Sequence, residues 1–244
     1  MLPRLSHLIR PLPLLVALVS GSLLGSGLAV PMPAEALDEA VIVDKLEQVP
    51  VFIILNSDGQ PLTAAAEVNN VEVKVPVVFL DGEAATTFLN RARQEDPSAA
   101  IALVDLGTLF QETVLGDEDQ TPLLYLPIVQ ERDAALRIES DFQGVPLFIA
   151  RQGQDGPYLT ITQNGETALP MFFSRNDLQT LLDRYRETNA AASNNIVVQV
   201  LSLEWLLAVM ANSDDPALDA QLRQVRLFPS TAVLNYIRSQ QPAQ

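Results

Sequence analysis

Apolar residues recur along this chain in runs and stripes, and most of that pattern occurs twice. Val49 to Leu55 is an unbroken run of β-branched, aromatic and aliphatic residues, which predicts a short strand. Asn56-Ser57-Asp58-Gly59 follows with turn chemistry, the glycine accepting the positive φ that a hairpin needs. A polar stretch, Gln60 to Glu72, leads to a second apolar strand, Val73 to Leu80. Asp81 then stands where an N-cap belongs, ahead of a helix from Gly82 to Gln94 whose Ala84, Phe88 and Leu89 share one face. A strand at Ile101 to Leu106, a short helix at Thr108 to Leu115, a strand at Leu123 to Ile128 and a helix at Glu131 to Ile138 complete the series.

The same series then begins again. Val49-Pro50-Val51-Phe52-Ile53 returns as Val145-Pro146-Leu147-Phe148-Ile149, at an offset of 96. Asp58-Gly59 with Leu62-Thr63 returns as Asp155-Gly156 with Leu159-Thr160, and Val75-Pro76-Val77-Val78-Phe79 as Leu169-Pro170-Met171-Phe172-Phe173, offset 94. Phe88-Leu89-Asn90-Arg91 answers Leu181-Leu182-Asp183-Arg184 at offset 93, Leu106 answers Leu203, and Leu126-Pro127-Ile128 answers Phe228-Pro229-Ser230. Each match is weak alone, but six in the same order indicate a duplication. Pro50, Pro76, Pro146 and Pro170 are expected to open strands, where a missing N–H costs least. Helix starts at Ser174 or Asn176, strands at Ile196 to Leu201 and Gln224 to Phe228, and helices at Leu203 to Ala211 and Thr231 to Arg238 fill the second series. Hairpins interleaved with helices predict an α/β or α+β fold of two pseudo-symmetric repeated halves, each a mixed sheet with helices packed on it. Residues 37–140 form the first expected half and 141–244 the second, with the boundary near Glu139 to Gly144.

The N-terminus reads differently. Arg4, His7 and Arg10 precede the apolar run Leu12 to Val19, and small residues lead to Ala34-Glu35-Ala36, so residues 1–36 are expected to be a signal peptide. Cleavage after Ala29, or retention of Pro11 to Val30 as a membrane anchor, are the alternatives, the latter weakened by two prolines and a Gly/Ser-rich second half. Removing that leader leaves 13 basic against 29 acidic residues, a net charge of −16. Such a charge repels nucleic acid and anionic membrane surfaces and keeps a protein soluble. The chain has no cysteine, and its single histidine, His7, lies in the leader. A mature chain of this composition builds no Ser–His triad, Cys–His pair, histidine metal site or zinc–thiolate site. The expectation is therefore a protein that is not an enzyme and carries no cofactor and no metal. Pairs of carboxylates could still serve a hydrolase, but among 29 acids some pair always lies close. Asp117-Glu118-Asp119, Asp214-Asp215 and Asp81/Glu83 lack the spacing of a calcium loop and read as solvated loops or helix starts.

The doubled Val-Pro-Val-Phe strand, the Asp-Gly…Leu-Thr turn and the Pro-Val-Val-Phe-Leu strand running into a helix resemble the Tic twenty-two-kilodalton family. The run from Leu201-Ser202-Leu203-Glu204 through Met210 fits the same pattern, and the resemblance covers about Leu37 to Ser239. It implies a component that handles polypeptides in transit between two membranes. Chloroplast members act in the intermembrane space, and cyanobacterial ones in the periplasm or thylakoid lumen. The leader suits the bacterial case, since a transit peptide lacks an apolar core. The resemblance also implies a two-lobed shape with apolar grooves and no active-site residues.

Candidate groove residues follow from the apolar pattern. Phe52, Phe79, Phe148, Met171, Phe172 and Phe173 sit in strands, where neighbours point to opposite faces. Core packing is the ordinary fate of such residues. Phe172-Phe173 is the sharpest pair, because one ring leaves the core face unless both faces are covered. The helix beginning at Leu203 carries Leu203, Trp205, Leu206 and Met210 and is apolar nearly all round except at Glu204. Met171 and Met210 would suit a surface that re-packs around varied partners. The expected function is a chaperone-like polypeptide-binding protein in translocation and outer-membrane biogenesis. Its partners would be unfolded or outer-membrane-bound polypeptides, or envelope translocon components, without nucleic acid or membrane insertion of the mature chain. A scaffold subunit docking one translocon is the alternative, with a carboxylate hydrolase behind it.

Overall fold

In the computed structural model of the chain the described residues are 37–68, 71–115, 122–163, 165–188 and 195–240. The leader, its cleavage site and the Asp117-Glu118-Asp119 run lie outside them. The first sheet contains β1 (Pro50–Leu55), β2 (Thr63–Val68), β3 (Val71–Phe79), β4 (Ala100–Asp105) and β5 (Leu124–Leu126). The second contains β6 (Pro146–Gln152), β7 (Ile161–Gln163), β8 (Glu166–Phe172), β9 (Ile196–Ser202) and β10 (Val225–Phe228). Read from one edge, the orders β5-β3-β1-β4 and β10-β8-β6-β9 are the same topology, with β2 and β7 as hairpin additions to β3 and β8. The first of those pairings is parallel in each sheet and the two central pairings are antiparallel, so both sheets are mixed.

The register refines the repeat. Phe52 pairs with Phe79 and Phe148 with Phe172, while Phe79 pairs with Leu126 and Phe172 with Phe228. Phe79 therefore corresponds to Phe172, an offset of 93, and not to Phe173 as the proline alignment at offset 94 suggests. One residue decides which face a strand presents. The register also moves two prolines: Pro76 and Pro170 lie inside β3 and β8 and do not open them. Pro76 stands opposite Thr63 of β2 and Pro170 opposite Arg226 of β10, and beside Pro76 the ladder bond is made by the Val77 N–H, which donates to the Leu62 carbonyl at 3.1 Å.

Three apolar clusters result. Val51, Ile53, Val78 and Leu80 from one sheet, and Leu147, Ile149, Met171 and Phe173 from the other, belong to one continuous central core. Helices α1 (Glu39–Leu46), α3 (Leu106–Phe110, running on into a π-helical turn at Gln111–Leu115), α6 (Leu203–Asn212) and α7 (Pro216–Gln224) add to it, as do Leu169, Val225 and Leu227 of the second sheet. The opposite face of the first sheet, Phe52, Ile54, Val77 and Phe79, is covered by α2 (Gly82–Ala92) and α8 (Thr231–Gln240). The opposite face of the second, Phe148, Ala150, Phe172 and Val200, is covered by α5 (Arg175–Thr188) and α4 (Val129–Leu136).

The closing helices are thus exchanged. Helix α4 ends the first series but packs Ala134 and Ala135 on the second sheet. Helix α8 ends the second series but packs Val233, Tyr236 and Ile237 on the first. Tyr236 sets its ring edge-on to Phe52 at 5.5 Å and shares a 2.6 Å hydrogen bond with Thr86 of α2. Gly82 is required at the start of α2 because any side chain there would meet the Tyr236 ring. Glu131 of α4 answers by accepting the backbone N–H of Arg175 at the start of α5, at 2.8 Å.

Several elements escape the periodicity. The expected polar stretch Gln60 to Glu72 contains β2, an alanine-rich strand in which Thr63 to Ala66 alternate between exposed and half-buried. Helix α1 lies before the repeat and buries Ile42 and Leu46 completely, with Lys45 Nζ donating to the Arg223 and Val225 carbonyls at 2.7 and 3.0 Å. Asp215 caps α7 through the Ala217 N–H at 2.8 Å, with Pro216 at the first helical position. The expected caps Asp81 and Ser174 hold: Asp81 accepts from the Glu83 N–H and Ser174 from the Asp177 N–H. Among the described residues, no helix is long and apolar enough to cross a membrane.

Candidate functional site

Nine of the ten candidate groove residues lie inside the molecule. Phe52, Phe79, Phe148, Met171, Phe172, Phe173, Leu203, Leu206 and Met210 are all buried. The physical reason is that both faces of each sheet are covered, so alternation along a strand sends a side chain from one core to another. Phe172 stacks on Phe228 at 4.8 Å in the outer cluster of the second sheet, while its neighbour Phe173 belongs to the central core. These nine residues do not line an open groove.

Trp205 is the exception, with 39% of its surface exposed on a helix whose other apolar residues are mostly buried. Ser202 caps that helix, its Oγ accepting the Trp205 N–H at 3.1 Å, as Asp105 caps α3 at the equivalent place by accepting from Thr108. Next to Trp205, Glu204 turns inward. Its two carboxylate oxygens accept the Val145 N–H at 3.2 and 3.0 Å, holding the start of β6. Gly144 stands against the carboxylate with φ 91, and a side chain there would collide with it. Burial pushes the Glu204 carboxyl above the usual range, against the pull of its backbone hydrogen bonds. The Tyr125 hydroxyl of β5 is raised by its own burial and by the Glu204 charge. A half-buried carboxylate therefore fastens the start of the second repeat beside the exposed indole.

A shallow cleft marks the pseudo-two-fold. Val49, Pro50 and Leu80 line it on one side, and their counterparts Val145, Pro146 and Phe173 on the other. It has room for no more than about one water molecule, too little to be a ligand site.

Other exposed apolar residues lie outside the candidate set. Leu103, half-exposed at 50%, sits on β4 in line with Phe52 and Phe79, while its counterpart Val200 is buried. The difference comes from the covering helices, which no local pattern reveals. Phe88 of α2 is also exposed at its rim while touching Phe79, ring centroids 5.4 Å apart. Leu124, Val129 and Ile138 complete the set. Among the described residues, no group of three or more acids or histidines could hold a metal ion.

A family model described as the Tic22-like family matches residues 3–231 of the chain. Among solved structures, "Anabaena Tic22 (protein transport)" superposes with a TM-score of 0.66 at 26% identity, covering 85% of this chain and 100% of that one. Tic22 from Plasmodium falciparum superposes with a TM-score of 0.58 at 21% identity, covering 81% of this chain and 96% of its own, a likeness of fold alone. The chain matches no curated protein.

Proposed function

The chain belongs to the Tic22-like family, and on that premise we propose that it is a protein-transport factor that binds polypeptides in transit without catalysing a reaction on them. The observation that carries this reading is its match to the whole length of Anabaena Tic22, whose description is protein transport. It works in the periplasm or thylakoid lumen after losing the leader, and its clients include unfolded outer-membrane proteins. The mechanism is passive. Exposed apolar side chains such as Trp205 and Leu103 contact apolar client segments, and the acidic shell, net −15 over the full chain, keeps the complex dispersed.

The test is suppression of aggregation of a diluted, unfolded outer-membrane barrel protein, read by light scattering. Suppression near stoichiometric ratios is expected, weakened by Trp205→Ala in a variant that keeps its circular dichroism. No suppression at any ratio would sink the chaperone-like reading and favour a scaffold that docks one fixed partner. Phe172 is unsuitable for this purpose, because an aspartate there would place a charge inside the outer core of the second sheet.

A further inference from the structure

Each sheet ends in a strand with no partner on its outer side among the described residues: β4 in the first, β9 in the second. Natural sheets blunt such edges with lysine, proline, bulges or a covering element. Neither edge is blunted by its own residues. β4 reads Ala-Ile-Ala-Leu-Val-Asp and β9 Ile-Val-Val-Gln-Val-Leu-Ser, with one charge between them, Asp105, at the end of β4. Every residue of β4 and most of β9 retain solvent exposure.

The hydrogen-bond phase of both edges is fixed. Leu106 N–H donates to the Val49 carbonyl at 2.9 Å, in line with the Pro50↔Asp105 register. In an antiparallel pair, bonded and non-bonded pairs alternate. Ala100, Ala102 and Val104 therefore bond to β1, while Ile101 and Leu103 direct their N–H and C=O groups away from the sheet. In β9 the phase is set at both ends, by Leu203 N–H to the Val145 carbonyl and Gly153 N–H to the Asn195 carbonyl. Ile196, Val198 and Val200 are then the residues whose backbone groups face outward.

We propose that β4 and β9 are docking edges that bind an extended polypeptide segment by adding it as a further strand. This rests on the polypeptide-binding reading above and supplies its mode. Backbone pairing gives affinity for many sequences, and side-chain contact with Leu103 favours apolar residues at alternate positions. The occupant is a client segment of alternating apolar and polar residues that is neutral or basic. Charge selects it over a second copy of this chain, since two molecules each carrying −16 without the leader repel as their edges approach. Edges of six and seven residues hold about 20 Å of extended chain.

Amide hydrogen exchange on the purified protein tests this. The probe is a peptide of alternating valine and threonine, as long as β9 and flanked by lysines, with a glutamate-flanked version for comparison. Without peptide, Ile101, Leu103, Ile196, Val198 and Val200 exchange at least tenfold faster than Ala102, Val104, Val197, Gln199 and Leu201. Saturating lysine-flanked peptide slows the outward set at least tenfold and leaves the inward set unchanged, and the glutamate-flanked peptide binds at least tenfold more weakly. Leu103→Lys, a change at an exposed position, removes the protection at β4 alone. Peptide binding measured by fluorescence anisotropy with protection elsewhere overturns the edge proposal and leaves polypeptide binding intact. Absence of binding by either peptide overturns both. Protection of the outward amides without peptide, accompanied by dimerisation, overturns it in favour of a second copy.

Discussion

At the scale of single residues, Glu204 pins the start of the second repeat. Its carboxylate accepts from Val145 beside Gly144, and burial raises its pKa. The folded protein thus holds the Glu204 proton more tightly than the unfolded chain does. Its contribution to stability is fully present below the ordinary glutamate pKa and fades as pH rises through the raised value. Denaturant midpoints of the parent and of Glu204→Gln should therefore converge or cross over that interval, the parent losing stability with rising pH relative to the variant. A constant difference between the two would show that the carboxylate does not titrate in the folded state as its burial requires. Asp96 behaves in the opposite sense. Its carboxylate accepts from Ser57 and Ser98 N–H groups at 2.7 and 3.0 Å, bonds that lower its pKa, and what it contributes is lost as pH falls through that lowered value. Glu204 stood out in the sequence only as the polar gap in an apolar helix. Its partner, fifty-nine residues away, could not be read there.

Among the elements, α4 and α8 are the ones whose position their own sequence does not reveal. Both follow a strand and a proline, and both look like local closures of their own half. Instead α8 lies against Phe52 and α2, and α4 against the second sheet. Ending the chain after Ser230 should therefore expose the first sheet. The expected outcome is faster amide exchange at β1 and β3 ahead of β6 and β8, with a loss of about 3–5 kcal/mol from removing the buried parts of Val233, Tyr236 and Ile237. Faster exchange confined to the second sheet would mean that α8 covers its own half. The strands at the centres of both sheets were legible because they are apolar on both faces, giving runs such as Val49 to Leu55. β2 was hidden by its alanines, and α7 offers only the single pair Leu218 and Leu222 behind a cap and a proline.

For the whole molecule, the continuous central core decides how the halves behave. Val51 and Leu80 share it with Leu147 and Phe173, and the exchanged helices bind each sheet to the other repeat. Thermal unfolding should be a single transition, with Trp205 fluorescence and far-ultraviolet circular dichroism coincident. Two separated transitions would mean that the repeats are independent domains. A client held at β4 and another stretch of the same client at β9 would then be presented to one rigid body, and binding at the first edge would raise the effective concentration at the second.

The sequence by itself determined that the fold is a duplicated α+β arrangement, where its central strands run and that Asp81 and Ser174 stand at helix starts, because these follow from local periodicity, turn chemistry and repetition. Absence of cysteine and of histidine beyond His7 also bounds the chemistry from sequence alone. Only the tertiary structure decided which apolar residues remain accessible. Burial of Phe52, Phe148 or Phe173 depends on helices that arrive from elsewhere in the chain, and exposure of Leu103 and of the β4 and β9 edges depends on where such cover ends. Neither property is encoded in the residues that possess it.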